Sequence, residues 1–296
     1  MNAEMWLRIR SVKLINMKQY ILFVVIYGII FAACGKVPTS ISMTNTVPPV
    51  TETQQGAFQT SKPLIVFGAS SLTEVFIEIG KSFEALHPSD KVIFNFAGSQ
   101  ALRSQVQQGA YADVIAFANT REMNTLVTGN LVIKNSATIF LTNQLIVILP
   151  EQNPGNINSL ADLSNKGVKL ILASDAVPVG SYSRQVLSNL NALYGENYKN
   201  KVLANVVSEE DNVKQVVIKI LLGEADAGIV YISDAVSAPS LKTIEIPPIY
   251  NIVAKYPIAI LKETQQPYLA AEFIEFVLSK TGQLILQKWG FSPVHP

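Results

Sequence analysis

The stretch Leu64-Ile65-Val66-Phe67-Gly68-Ala69-Ser70-Ser71-Leu72-Thr73-Glu74-Val75-Phe76 decides how the rest of the chain is read. Its first four residues are apolar without alternation, the mark of a strand buried on both faces. After the small residues Gly68 to Ser71 the apolar period changes. Leu72, Val75, Phe76, Ile79, Phe83 and Leu86 recur on one face of a helix. Ser71 and Glu74 stand at capping-box spacing, which places the start of that helix at Ser71.

The same alternation continues outward. Val92 to Phe96 reads as a strand, Gln100 to Gln108 as a helix after Gly98-Ser99, and Val114 to Phe117 as a strand after Gly109-Ala110-Tyr111-Ala112-Asp113. Strands alternating with helices predict an α/β fold with a mostly parallel sheet. Leu145 to Leu149 is another apolar strand. A second set follows it: strand Lys169 to Leu172, helix Tyr182 to Leu193, strand Val202 to Val207, helix Val213 to Leu222 and strand Gly228 to Tyr231. Tyr250 to Leu261 reads as a long strand interrupted by Pro257, and helices follow from Tyr268 to Leu278 and from Gln283. Two α/β lobes are therefore expected, 63–144 with 251–296 forming one and 145–250 the other. The cleft between two such lobes is a preferred ligand site.

The N-terminal segment has a different character. Arg8, Arg10, Lys13 and Lys18 precede an apolar run from Tyr20 to Ala33, which ends in Phe31-Ala32-Ala33-Cys34-Gly35. A basic region, a short apolar core and small residues before a cut are the pattern of a secretory signal peptide, here 1–33. The run is shorter than the roughly 20 apolar residues of a spanning helix, which favours a cleaved peptide over the alternative of an uncleaved signal anchor. Cys34, the single cysteine, sits at the expected cut, an arrangement that resembles the lipobox of bacterial lipoproteins. The mature chain would then begin at a lipidated Cys34, on the outer face of the cell membrane. From Cys34 to Lys62 the composition of Thr, Ser, Pro and Gln predicts an extended tether.

Composition narrows the function. With 23 basic and 22 acidic residues the formal charge is +1, so the chain has no electrostatic footprint for nucleic acid. One cysteine excludes a disulfide framework, and the two histidines, His87 and His295, stand far apart in the chain, with no metal-ligand spacing. Gly80-Lys81-Ser82 lacks the leading glycine of a phosphate loop and falls inside a helical pattern. No Gly-x-Ser-x-Gly elbow is present, and Ser70 and Ser71 have no histidine assignable as a base. Glu209, Glu210 and Asp211 read as a loop cluster complementing a helix dipole.

Four helix starts share a small or polar residue just after a strand: Ser70-Ser71, Gly98-Ser99, Val179-Gly180-Ser181 and Asp211-Asn212-Val213. In an open α/β sheet such starts gather at the carboxyl ends of the strands, where ligands bind. Each presents free N–H donors and a partial positive charge, so an anion needs no Lys or Arg there. The bland alternative at each position is that a serine caps only its own helix.

The segments Val66 to Leu72, Phe96-Ala97-Gly98-Ser99 with Gly109 to Asp113, Val177 to Tyr182, Glu210 to Val213 with Gly223 to Tyr231, and Tyr256 to Ala259 with Trp289-Gly290-Phe291 resemble, in order, the motifs of the molybdate-binding proteins of ABC transporters. The resemblance spans 64–293. It implies a type II periplasmic-binding fold, two α/β lobes joined by two crossover strands, and a molybdate or tungstate oxyanion held by neutral donors. Matched by motif, Ser71 and Ser99 would supply hydroxyl and backbone donors, Val179 and Val213 backbone N–H groups, and Tyr231 its phenol. The family often has Ala where Val179 stands. The partners implied are the oxyanion and an ABC permease, with no cofactor, no enzymatic activity and a monomeric state.

Three other readings stand beside this one. They are a receptor for another anion such as sulfate or phosphate, an anchored hydrolase using Ser70 or Ser71, and a ligand-sensing domain of a regulator. A fully deprotonated oxyanion offers only acceptors, whereas phosphate near neutral pH keeps a proton that wants an acceptor in the site.

Overall fold

The computed structural model describes residues 62–294. The signal segment, Cys34, nearly all of the tether and His295 lie outside the described residues. The chain folds into two mixed α/β sheets. Among the described residues no helix is long and apolar enough to cross a membrane.

The opening stretch forms strand β1 (Leu64–Ala69), a 3-10 turn (Ser70–Leu72) and helix α1 (Thr73–Leu86). The remaining elements of the first lobe before the crossover are β2 (Val92–Ala97), α2 (Ser99–Gln107), β3 (Val114–Ala116), α3 (Thr120–Thr128) and β4 (Thr138–Asn143). The second lobe runs through β5 (Leu145–Leu149), β6 (Leu170–Ala173), α4 (Pro178–Tyr194), α5 (Tyr198–Leu203), β7 (Val206–Glu210), α6 (Val213–Leu221), β8 (Ala227–Tyr231), α7 (Ile232–Val236) and β9 (Lys242–Glu245). The chain then returns through β10 (Ala254–Ile260), α8 (Pro267–Leu278), α9 (Lys280–Lys288) and β11 (Ser292–Pro293).

The first sheet has the order β11-β4-β10-β3-β1-β2 and the second β7-β6-β8-β5-β9. Neither is mostly parallel. In the first, β1 pairs parallel with β2 and β3, but β10 runs antiparallel to β3 and β4. In the second, β6 pairs parallel with β7 and β8, while β5 is antiparallel to β8 and β9. The antiparallel pairs come from the two crossings. Only Gln144 separates β4 from β5, so the strand that leaves one sheet enters the other almost without a turn. The returning segment is tied to it by Asn251, whose Oδ1 accepts from Leu145 N–H at 3.1 Å and whose Nδ2 donates to Leu145 O at 2.8 Å.

Burial on both faces explains the unbroken apolar run of β1. Val66 faces the core that contains Phe76, Phe83, Phe140 and Phe273, while Phe67 faces a second cluster with Leu102, Phe117 and Met123. Each lobe also closes its parallel strands with the same device at the end remote from the strand carboxyl termini. Asp113, fully buried just before β3, accepts from Ile65 N–H at 2.8 Å. Asp226, just before β8, accepts from Lys169 N–H at 2.7 Å. Both acids follow an alanine shortly after a glycine, in Gly109-Ala110-Tyr111-Ala112-Asp113 and Gly223-Glu224-Ala225-Asp226. Those motif residues therefore lock the base of each sheet.

Several local expectations are corrected. Ser71 and Glu74 form no capping box, because Ser71 Oγ bonds to Tyr256 Oη and Glu74 pairs with Lys214. The stretch expected as a strand from Val202 splits instead. Val202 ends up buried in α5, and the strand starts at Val206. Glu209 and Glu210 lie in β7 and not in a loop, Glu209 paired with Arg184 and Glu210 with Lys219 at 2.7 Å. Pro257 does interrupt β10, at the register shift opposite β4.

Candidate functional site

The carboxyl ends of β1, β2, β6 and β7 each feed a helix, and the four helix N-termini converge. Ser71, Ser99, Val179, Val213 and Tyr231 all line one small cavity, together with Ser70, Gly98, Ala118 and Pro178. All five expected residues are nearly sealed from solvent, with exposures of 4%, 1%, 1%, 3% and 1%. The cavity is small, about 10 Å³.

The local sequences leave these helix ends open. The first N–H groups of any helix have no intrahelical partner and normally find a side-chain cap or water. Here the N-termini after β1, β2 and β6 have no side-chain cap, although they are buried. Pro178 occupies the first position of α4 and has no N–H, so Val179 carries the first free donor of that helix. The fourth start is capped by Asn212, but its Oδ1 accepts from Gln215 N–H at 3.2 Å, one turn in, which leaves the Val213 N–H uncommitted by that cap. The reading of each serine as a cap for its own helix therefore does not hold. Ser99 Oγ accepts from Ala118 N–H at 3.0 Å, and its own proton remains to be donated.

Two glycines let these elements meet. A Cβ at Gly98 would lie 2.6 Å from Asp211 O across the cleft, and one at Gly180 would lie 2.0 Å from Ser174 O. Three further contacts tie the lobes together beside the cavity. Gln100 Nε2 donates to Asp211 O at 3.0 Å, Lys214 Nζ pairs with Glu74 at 2.7 Å, and Arg121 reaches Ala176 O at 3.4 Å.

Electrostatically the site is neutral. None of the described residues lining the cavity is charged. Lys214 adjoins Val213 in sequence, but its ammonium is taken up by Glu74 and by fully buried Asp234 at 3.1 Å. Burial alone would lower that ammonium's pKa; Asp234 and Glu74 outweigh it and raise it. The Tyr231 hydroxyl is buried, and among the described residues it has no aligned hydrogen-bond partner. Burial pushes the phenols of Tyr231 and Tyr256 well above their ordinary range, so both stay protonated donors.

Tyr256 is the residue of this site that sequence reasoning missed. It lies fully buried on β10 behind the cavity wall, its Oη 3.0 Å from Ser71 Oγ. Its ring meets Tyr231 edge to face at 5.7 Å. The two partners are 185 positions apart, so no local pattern links them.

Comparison with known proteins places this geometry. The model of the bacterial extracellular solute-binding proteins matches residues 64–292. The chain belongs to that family. Like its relatives, this solute-binding protein is assigned to an extracytoplasmic class. It is 37% identical over 238 residues to the molybdate-binding protein ModA of Mycobacterium tuberculosis, covering 80% of this chain and 87% of that one. Among solved structures it resembles the substrate-binding domain of a putative molybdenum ABC transporter from Clostridium difficile, at 28% identity and a TM-score of 0.61, covering 79% of this chain and 99% of that one. The sulfate-binding protein SubI of Mycobacterium tuberculosis shares the fold at 17% identity and a TM-score of 0.71, covering 79% of this chain and 88% of that one.

The two buried phenols give a pH signature. An unfolded tyrosine ionises near pH 10, and the folded ones ionise only above that, so the folded state holds more protons at high pH. Stability contributed by these groups is complete below pH ~10 and is lost as pH rises toward their folded values. Unfolding free energies from urea titrations between pH 10 and 11 should fall less steeply in Tyr231→Phe than in the unsubstituted protein, by up to about 1.4 kcal/mol per pH unit. Identical slopes would mean that the phenol ionises as freely in the fold as in water.

Proposed function

We propose that this protein captures a fully deprotonated tetrahedral oxyanion, molybdate or tungstate, between its lobes and delivers it as a monomer to an ABC importer. The observation that carries the reading is the convergence of buried, uncapped helix N-termini and one unpartnered phenol on a cavity without charged side chains. The backbone N–H groups of this set only donate, and each hydroxyl has a proton to donate as well. Ser71 and Ser99 would give hydroxyl and backbone donors, Val179 and Val213 backbone N–H groups, and Tyr231 its phenol. The helix dipoles favour the negative charge. Because Val179 would act through its backbone, a valine where relatives of this kind often have alanine preserves the donor.

Hydrogen phosphate would bring a proton into a cavity where no carboxylate lines the wall to accept it, so it should be rejected. The ModA relative and the putative molybdenum transporter domain both support molybdenum as the central atom of the anion. Lobe closure would be favoured by the ligand itself, since donors from both lobes must meet on one ion.

Delivery to a membrane permease requires the receptor to stay at the outer surface. The lipobox-like Phe31-Ala32-Ala33-Cys34 sequence and the Ser/Thr/Pro-rich tether support a lipid anchor at Cys34, with the lobes held off the membrane.

Thermal shift separates the ligands. An anion present at 100 times its dissociation constant stabilises the fold by about 2.7 kcal/mol. Molybdate and tungstate should raise the melting temperature of the tetherless protein, and phosphate should leave it unchanged. An equal rise with sulfate would overturn the metal-oxyanion assignment, and no rise with any oxyanion would overturn the receptor reading. For the anchor, Cys34→Ser should move the chain from the membrane fraction to the soluble export fraction; unchanged fractionation would refute lipidation there.

A further inference from the structure

Tyr256 does not line the cavity, yet it is bonded to a residue that does. Its hydroxyl is buried, so its proton must find an acceptor in the protein. The aligned partner is Ser71 Oγ at 3.0 Å. The amide of Asn143 and the hydroxyl of Tyr231 lie against the same hydroxyl. Asn143 Oδ1 accepts from Gln144 N–H at 2.9 Å and one Nδ2 proton goes to Ser233 Oγ at 2.9 Å, which leaves a second N–H to offer the phenol.

Between a phenol and an alcohol, the phenol is the stronger acid and the better donor. When it donates, one lone pair of Ser71 Oγ is filled and the serine's only proton has to turn elsewhere. The side of Ser71 left open is the cavity. We infer that Tyr256 is a positioning residue that makes Ser71 a one-way donor, and so helps the site refuse anions that still carry a proton. This inference rests on the oxyanion reading above and deepens it.

Ser99 is set in the same sense by a different group, since the Ala118 N–H at 3.0 Å fills a lone pair of its hydroxyl. The first lobe thus holds Ser71 and Ser99 in donor orientation, Ser99 by a backbone amide and Ser71 by a tyrosine. Without Tyr256 Oη, Ser71 Oγ could rotate and present a lone pair, which would accept the proton of hydrogen phosphate.

Tyr256→Phe removes this one hydroxyl and keeps the ring that packs against Tyr231 at 5.7 Å and Phe291 at 5.9 Å. Titration calorimetry near pH 7 with molybdate, sulfate and inorganic phosphate should show molybdate affinity reduced about tenfold, the scale of one good hydrogen bond. The ratio of phosphate to sulfate affinity should rise severalfold. In a Ser71→Ala background the same substitution should add no further loss, since Tyr256 acts through Ser71. Additive losses, or a weaker site with an unchanged ratio, would show a merely structural role and overturn the inference. Neutron diffraction of the unsubstituted protein reads the same point without any variant: deuterium on Ser71 should point into the cavity, and deuterium directed at Tyr256 Oη would overturn it. An unsubstituted protein that prefers phosphate to both other anions, or binds none, would instead defeat the oxyanion reading itself.

Discussion

The free N–H groups at buried helix ends are the constraint on which this structure turns. A helix end normally satisfies its first donors with a cap or with water, and each donor left unpaired in a dry interior costs about 1–3 kcal/mol. This protein gathers four helix starts around one cavity and leaves three without a side-chain cap. It adds a phenol that also has no aligned partner. Such an arrangement is stable in use only if something supplies acceptors to several donors at once. A compact dianion does this, and its charge also meets the positive ends of the helix dipoles.

The rest of the fold serves that convergence. Parallel strands β1 and β2 in one sheet, and β6 and β7 in the other, deliver their helices from their carboxyl ends to the same point. Asp113, fully buried, and Asp226, partly exposed, lock the opposite ends of the two sheets. Lys214, next to Val213 in the chain, is engaged by two carboxylates, and its link to Glu74 ties one lobe to the other. On the proposed reading, selection against phosphate would depend on proton direction and not on charge. Gly98 matters for the same reason, since any side chain there would drive Asp211 and the second lobe away.

Much of this was legible in the residues. The switch from the unbroken apolar run Leu64 to Phe67 to a helical period, repeated along the chain, identifies an α/β fold. All five residues matched by motif meet at one cavity. What was not legible depended on distance or on context. The Ser71 and Glu74 spacing looks like a capping box, but Tyr256 and Lys214, distant in sequence, compete for those side chains and win. The antiparallel share of each sheet comes from the crossings, which single strands do not announce. Helix α3, strand β4, the short helix α5 and the exposed edge strand β9 carry weak or mixed patterns, and Val202 was drawn into a strand because its burial in α5 leaves no local trace. Tyr256 was hidden most completely, as a core-like residue in an apolar strand.

The central claim is that neutral donors alone hold the anion. A crystal structure of the molybdate complex tests it most directly, because anomalous scattering locates molybdenum independently of the protein. The account requires the metal signal in the cavity bounded by Ser71, Ser99, Val179, Val213 and Tyr231, with every oxygen met by an N–H or O–H and Lys214 still paired to Glu74 and Asp234. A signal elsewhere, or a lysine or arginine swung into contact with the anion, would contradict it.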